Sequence, residues 1–200
     1  MNPHFFFNAL ASLQTYALQG NDGKSIAVNL SKFAHIMRET LESTYKDYIT
    51  IGKEIDFLNE YLELQKLRFP QKFNYEITLA DTIESDTQII PSMILQPFVE
   101  NSIEHGFTGI DYTGNIQIDF KKENDNLLIT VIDNGKGLAD QKKGNGEHVS
   151  RASQIIKDRL YLLNKKLKTK ARFLITNNEE GAGTVVKVYL PILQKAGVNL

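Results

Sequence analysis

Pro97-Phe98-Val99-Glu100-Asn101-Ser102-Ile103-Glu104-His105-Gly106 closes an apolar helix that the sequence predicts from Ile90 to His105, opened by Pro91 and loosened in its first turns by Pro97. Glu100, Asn101, Ile103, Glu104 and His105 end it, and Asn101 and His105, four apart, share one face. An asparagine oxygen is a suitable hard ligand for Mg²⁺, which keeps several waters and binds substrate phosphates. The plain alternative is a polar helix end.

Outward from this helix the periodicity is that of strands. Upstream, Phe73, Tyr75, Ile77 and Leu79 alternate with polar residues as a half-buried strand. Downstream, Ile116, Ile118 and Phe120 alternate, Lys121 to Asn126 reads as a charged turn, and Leu127 to Ile132 is a continuous apolar strand, so the three segments predict a hairpin. Asp133 to Val149 is rich in Gly, Asn, Asp and Lys and too long for an ordinary connection, which marks a functional or mobile segment. Helix returns from Ser150 to Lys168, and strands Ala171–Thr176 and Thr184–Leu190 flank a turn at 177–183.

The first 70 residues read as helices. Leu10, Leu13 and Ala17 form one stripe, with His4, Asn8, Ala11 and Thr15 on a more polar one; after a glycine-rich break at 19–23, Ile26, Leu30, Phe33, Met37 and Leu41 share a face. Thr50 is placed to cap a third helix, whose apolar stripe (Ile55, Leu58 and Leu62 beside Phe57, Tyr61 and Leu64) is wide enough to be covered from two sides. Pro70 ends it. The expected units are a helical region at 1–70, an α/β domain at 71–192 and a tail at 193–200.

Composition narrows the function. A 200-residue chain with 42% hydrophobic residues buries a core. Its net charge of −1, from 23 basic and 24 acidic residues, leaves no overall field for nucleic acid, so any anion site is local. Zero cysteines exclude disulfides and thiolate metal sites. No apolar run approaches the roughly 20 residues of a membrane span, and no signal peptide precedes the first motif, so the chain as given is expected to be soluble.

Three further groups can carry chemistry. Asp133-Asn134-Gly135-Lys136-Gly137 follows directly on a buried strand, placing a carboxylate at a strand end where it can accept from an amino group such as that of adenine. Asp-Asn-Gly is also a common turn. Gly181-Ala182-Gly183-Thr184 precedes a strand and reads equally as a tight turn. His4, within Asn2-Pro3-His4-Phe5-Phe6-Phe7-Asn8, sits in the first turn of a helix beside three phenylalanines with no obvious structural need to be there.

In order, Asn-Pro-His-Phe-x-Phe-Asn, Pro-Phe-Val-Glu-Asn-Ser-Ile-Glu-His-Gly, Asp-Asn-Gly-Lys-Gly and Gly-x-Gly-Thr resemble the cytoplasmic portion of sensor histidine kinases of the LytS/YehU type, whose ATPase domain belongs to the GHKL superfamily. The resemblance spans roughly residues 1 to 191, and Arg68-Phe69 is a further recurrent feature. It implies an α+β chain: a helical dimerisation and phosphoacceptor hairpin followed by a GHKL (Bergerat-type) α/β sandwich. It also implies ATP and Mg²⁺, with His4 as the phosphoacceptor and a response regulator aspartate, of the LytTR type, as recipient. By the same resemblance Asn101 is the Mg²⁺ ligand and Asp133 the adenine contact. Gly135 and Gly137 shape the pocket, His105 lies near the phosphates, and Gly181, Gly183 and Thr184 support the adenine side. Glu100 is proposed as the base, and Asn8, one turn from His4, orients the ring or the phosphate.

One box departs from the family. Counting back from Arg159-Leu160, Ser150, Ala152 and Ile155 stand where relatives carry the glycines and asparagine of the lid. Gly144-Asn145-Gly146 is an alternative source of flexibility, with Lys142, Lys143 or Arg151 near the phosphates. The altered lid keeps open a second reading, a nucleotide-binding pseudokinase that signals through conformation and dimerisation. A chaperone-like or DNA-strand-passing GHKL protein explains neither His4 nor the hairpin. The broad apolar faces of residues 5–48 predict a homodimer, with a four-helix bundle as the expected form. Family members carry membrane spans upstream, so the fragment is expected to be the cytoplasmic end of an inner-membrane protein.

Overall fold

A computed structural model describes residues 3–42, 45–138, 151–179 and 181–197, with the side chains of 3–6, 8, 151 and 152 outside the description. Helices α1 (Pro3–Leu18) and α2 (Gly23–Glu42) form the expected hairpin. At its bend Gly20 takes a φ of +78°, and Asp22 accepts from the Ser25 N–H at 2.9 Å at the start of α2. The buried stripe differs from the sequence reading. Ala9 and Leu13 on α1 and Ile36 and Thr40 on α2 are buried, while Leu10, Leu30 and Leu41 are exposed. Among the described residues the hairpin packs chiefly on α3 (Ile51–Arg68), which covers one face, whereas the sequence carries apolar residues on more than one.

Thr50 caps α3 as predicted, its hydroxyl accepting from Lys53 N–H at 3.4 Å, and the helix stops just before Pro70. Phe57, Leu58, Tyr61, Leu62 and Leu64 are all buried, because α3 is covered on one side by the hairpin and on the other by the strands that follow.

The main sheet has the order β2-β4-β5-β7-β6, formed by β2 (Phe73–Leu79), β4 (Gly114–Glu123), β5 (Asn126–Asp133), β6 (Arg172–Asn177) and β7 (Thr184–Pro191). Only the β2–β4 pairing is parallel. The β4–β5 hairpin turns on Asn124 and Asp125 alone, with Asn124 at φ +53°, so the charged run expected as a turn is mostly strand. Helix α5 (Arg151–Leu167) buries Ile156, Leu160 and Leu163.

The helix predicted from Ile90 does not begin there. Gln88–Pro91 form β3, which pairs antiparallel with β1 (Tyr48–Thr50) and with β8 (Leu193–Gln194), the latter expected as the start of a tail. Helix α4 runs only from Gln96 to Asn101 and continues as one π turn, Ser102–Gly106. A short apolar run beside proline has no period that separates strand from helix, and Ile89 and Ile90 satisfy their backbone in the small sheet instead. One continuous apolar core extends from Ala9 and Ile36 through α3 to Val186 and Val188. Among the described residues no helix is long and apolar enough to cross a membrane.

Candidate functional site

Helix α4 with its π turn, the ends of β5 and β7, strand β6 and helix α5 surround a cavity of about 860 Å³. Its walls are apolar at Phe98, Leu160, Phe173 and Val186, with the Phe98 and Phe173 rings 5.7 Å apart. Asn101, His105, Asp133, Gly137 and Thr184, read from three separate motifs, all line it.

Asp133 is 5% exposed at the end of β5. One carboxylate oxygen accepts from Gly135 N–H at 2.9 Å and from Thr184 N–H at 3.2 Å; the other accepts from the Ser102 hydroxyl at 2.9 Å. A carboxylate offers about four acceptor directions, so these three donors leave room for one more from a ligand in the cavity. The amino edge of adenine fits that vacancy in chemistry, and the apolar walls fit a flat base.

Two glycines make this arrangement possible. A Cβ on Gly183, at φ +109°, would stand 1.8 Å from the Asp133 carbonyl oxygen. One on Gly135 would stand 2.6 Å from the Gly106 carbonyl oxygen, because the loop after β5 lies directly against the π turn and Lys136 N–H donates to that same carbonyl at 3.0 Å. Gly181 is different: it is exposed, outside the cavity lining, and has space for a Cβ.

The Asn101 side chain faces the cavity and has no hydrogen-bond partner among the described residues. Its amide oxygen is therefore free for a hard cation that takes its other ligands from phosphates and water. His105 is exposed at the same wall. Glu100, although adjacent to Asn101, lies outside the cavity lining and binds residues of α3 and its own helix. It accepts from Gln96 Nε2 at 2.7 Å and from the Tyr61 hydroxyl. Burial pushes its carboxyl above the usual range, with Glu104 adding to the rise and these two hydrogen bonds opposing it. Arg68 bonds Glu104 at 3.1 Å and stacks over Phe69, fastening the end of α3 to the π turn.

His4 lies on the backbone of α1, but its side chain and that of Asn8 fall outside the described residues, as do Gly144-Asn145-Gly146, Lys142, Lys143, Ser150 and the side chains of Arg151 and Ala152. Ile155 is exposed on α5, away from the cavity. Sequence reasoning missed several lining groups. Lys136, Lys157 and Arg172 bring positive charge to the cavity, and Tyr161 adds an aromatic edge. Asn177, at the end of β6, accepts from Leu138 N–H at 2.7 Å and so holds the exit of the Asp133 loop. Lys136 lies inside a motif that was read for its glycines; the others lack a local signature, because the packing of α5 and the strand pairing of β6 bring them to the cavity.

Comparison with known proteins agrees with this geometry. A family profile described as "Histidine kinase" matches residues 1–73, and one described as "Histidine kinase-, DNA gyrase B-, and HSP90-like ATPase" matches 87–194. "Sensor protein LytS" of Staphylococcus epidermidis is 32% identical over 169 residues, which is 84% of this chain and 28% of that protein. "Sensor histidine kinase BtsS" of Escherichia coli is 33% identical over 135 residues, 67% of this chain and 23% of that protein. The chain thus spans only about a quarter of the length of these relatives. Among solved structures, the histidine kinase domain of an Erythrobacter litoralis blue-light activated kinase superposes with a TM-score of 0.51 at 16% identity, covering 96% of both chains. The Acinetobacter baumannii histidine kinase AdeS gives 0.52 at 14% identity, covering 92% of this chain and 95% of that one. At those identities the likeness speaks for the fold, an N-terminal helical region followed by a GHKL-type α/β sandwich. The sequence matches add the lineage: the chain belongs to the histidine kinase family, with the helical segment and the gyrase B- and HSP90-like ATPase module of LytS-type sensor kinases.

Proposed function

We propose that this chain is the catalytic portion of a two-component sensor kinase, which phosphorylates His4 from ATP and passes the phosphoryl group to an aspartate of a response regulator. The observation that carries the reading is the buried Asp133 carboxylate, held by three protein donors and open to the same cavity as the unengaged Asn101 side chain. A base bound at Asp133 and phosphates extended toward Asn101 and His105 suit one nucleotide laid across the cleft.

In this reading Asp133 accepts from the adenine amino group, while Gly135, Gly137, Gly183 and Thr184 shape its surroundings and Gly181 completes the turn. Asn101 holds Mg²⁺, which would neutralise phosphate charge, and His105 contacts the phosphates. An imidazole nitrogen of His4 attacks the γ-phosphorus, an N–P bond forms, the bond to the ADP oxygen breaks, and the ring proton passes to Glu100. Burial raises the affinity of the Glu100 carboxyl for a proton, the direction that a proton acceptor needs. Asn8 orients the ring or the phosphate.

The same reading divides the chain at Pro70 into a helical phosphoacceptor region, 1–70, and an ATP-binding domain from 71 onward, which takes in Leu193–Gln194 as β8 where the sequence alone placed the start of a tail at 193. It makes the hairpin a homodimer contact: Phe7, Leu18, Leu30 and Leu41 are exposed apolar residues there. The recipient is a LytTR-type regulator, and the parent protein is anchored in the inner membrane upstream with this portion in the cytoplasm. Incubation with Mg²⁺ and γ-labelled ATP tests the core of it. We expect acid-labile label on the wild type and none on His4→Gln or Asn101→Ala; acid-stable label, or label that persists in His4→Gln, rejects His4 as the acceptor.

A further inference from the structure

Glu54 is a fully buried carboxylate on α3, the helix that joins the hairpin to the ATPase module, and it belongs to no motif. Its two oxygens accept from Met93 N–H and Leu95 N–H, each at 3.2 Å. These donors are in the turn that leads into α4, where Met93 takes the left-handed φ of +54°, a conformation that a side chain other than glycine holds only when its surroundings impose it. Six residues beyond Leu95 is Asn101.

The same turn is gripped from the other wall of the cleft. Arg159 of α5 donates to the Ser92 hydroxyl at 3.4 Å and is attracted by Glu54 and Asp47; Ser92 in turn donates to the Lys46 carbonyl at 2.7 Å. Lys46 lies between α2 and β1, where the chain leaves the hairpin. Four segments therefore meet at 92–95: the exit of the hairpin, α3, the start of α4 and the middle of α5. Two of them, α4 and α5, are walls of the cavity, yet neither Glu54 nor Arg159 lines it.

We propose that Glu54 and Arg159 are positioning residues that transmit the placement of α3 and the hairpin exit to both walls of the nucleotide cleft. The inference rests on the reading of the cleft as a nucleotide site. A shift of α3 relative to the sheet moves the carboxylate, the carboxylate moves the turn, and the turn moves both Asn101 and, through Ser92, the helix that faces it. Removing either side chain loosens both walls without touching the ligand.

The test is a cycle on the full chain with Glu54→Gln, Arg159→Met and the double variant, titrated calorimetrically with a non-hydrolysable ATP analogue and Mg²⁺ well below their melting temperatures. Gln keeps one acceptor oxygen and leaves one N–H of the turn unpaired. Each single variant is expected to bind roughly 5-fold more weakly, and the double variant no more weakly than the worse single, because both act on one turn. Wild-type affinity in folded single variants, or strictly additive losses, overturns the proposal while leaving the nucleotide site in place. Absence of binding by the wild type overturns both. If Glu54→Gln does not fold, Arg159→Lys, which keeps the charge but loses the planar fork, is read in its place: weaker binding supports the link and unchanged binding overturns it.

Discussion

Asp133 and Glu54 are both buried carboxylates, one at a strand end and one in a helix, and they do opposite things with their acceptor capacity. Asp133 takes three donors and still presents an edge to the cavity. Glu54, completely enclosed, gives both oxygens to the backbone of a turn and does not line the cavity that Asp133 faces. The first arrangement leaves an acceptor for a ligand, as the proposed function requires, and the second fastens secondary structure. Burial alone does not distinguish them; what remains unsatisfied, and where it faces, does.

The comparison breaks most visibly at Gly183. Alanine there would drive a Cβ into the Asp133 carbonyl and strain a positive φ, so Gly183→Ala should cost about 4 kcal/mol of stability, read as a lowered midpoint in thermal or denaturant unfolding. A midpoint within a degree of wild type would mean that β7 does not approach Asp133 as described.

Glu54 gives the next largest effect, through pH. Burial pushes its carboxyl from an ordinary 4.5 up to about 7, against the opposing pull of the Leu95 and Met93 N–H groups and the Arg159 charge. Between those two values the folded chain holds a proton that the unfolded chain releases. This contribution to stability is full below pH 4.5 and is lost as pH rises through about 7. The loss amounts to on the order of 3 kcal/mol. Glu54→Gln removes that slope, so wild type minus variant should decline across this window in denaturant titrations; a difference that stays flat argues against a buried, protonated Glu54.

Asp133→Asn sharpens the contrast from the other side. The amide cannot accept all three donors, and nucleotide affinity should fall by about 2 kcal/mol, roughly 30-fold by calorimetry. Equal affinity would remove Asp133 from the recognition role. The smallest effect is expected at Gly181→Ala, within about 0.5 kcal/mol in the same unfolding assay, since a Cβ there would make only an ordinary contact, 3.9 Å from the Asn178 amide nitrogen. A large loss would show that the turn before β7 is more confined than its neighbours indicate.

The legibility of the site follows the same division. Asp133, Asn101 and Thr184 were readable because each belongs to a short motif whose spacing is set locally, by a strand end, a helix face or a tight turn. Lys157, Tyr161 and Arg172 were not: they reach the cavity from α5 and β6, and only the packing of α5 and the pairing of β6 with β7 bring them to the lining that Asp133 shares. Ile90 and Pro91, the end of the strand Gln88–Pro91, read as the start of a helix because the strand's partners, Tyr48–Thr50 and Leu193–Gln194, are distant in sequence. Strand pairing across such separations leaves no mark on local periodicity.

The amino-acid sequence by itself determined the family, the hairpin, the cap at Thr50, most of the main strands and the motifs that bring Asn101, Asp133 and Thr184 to the cavity, since these depend on residue type and near-neighbour spacing. Tertiary structure alone decided which apolar face of the hairpin is buried, which glycine is sterically required, and what Glu54 is for. Each of those depends on atoms brought together from remote parts of the chain. A glutamate one turn into an amphipathic helix looks like any solvated residue until the fold sets two backbone N–H groups against it.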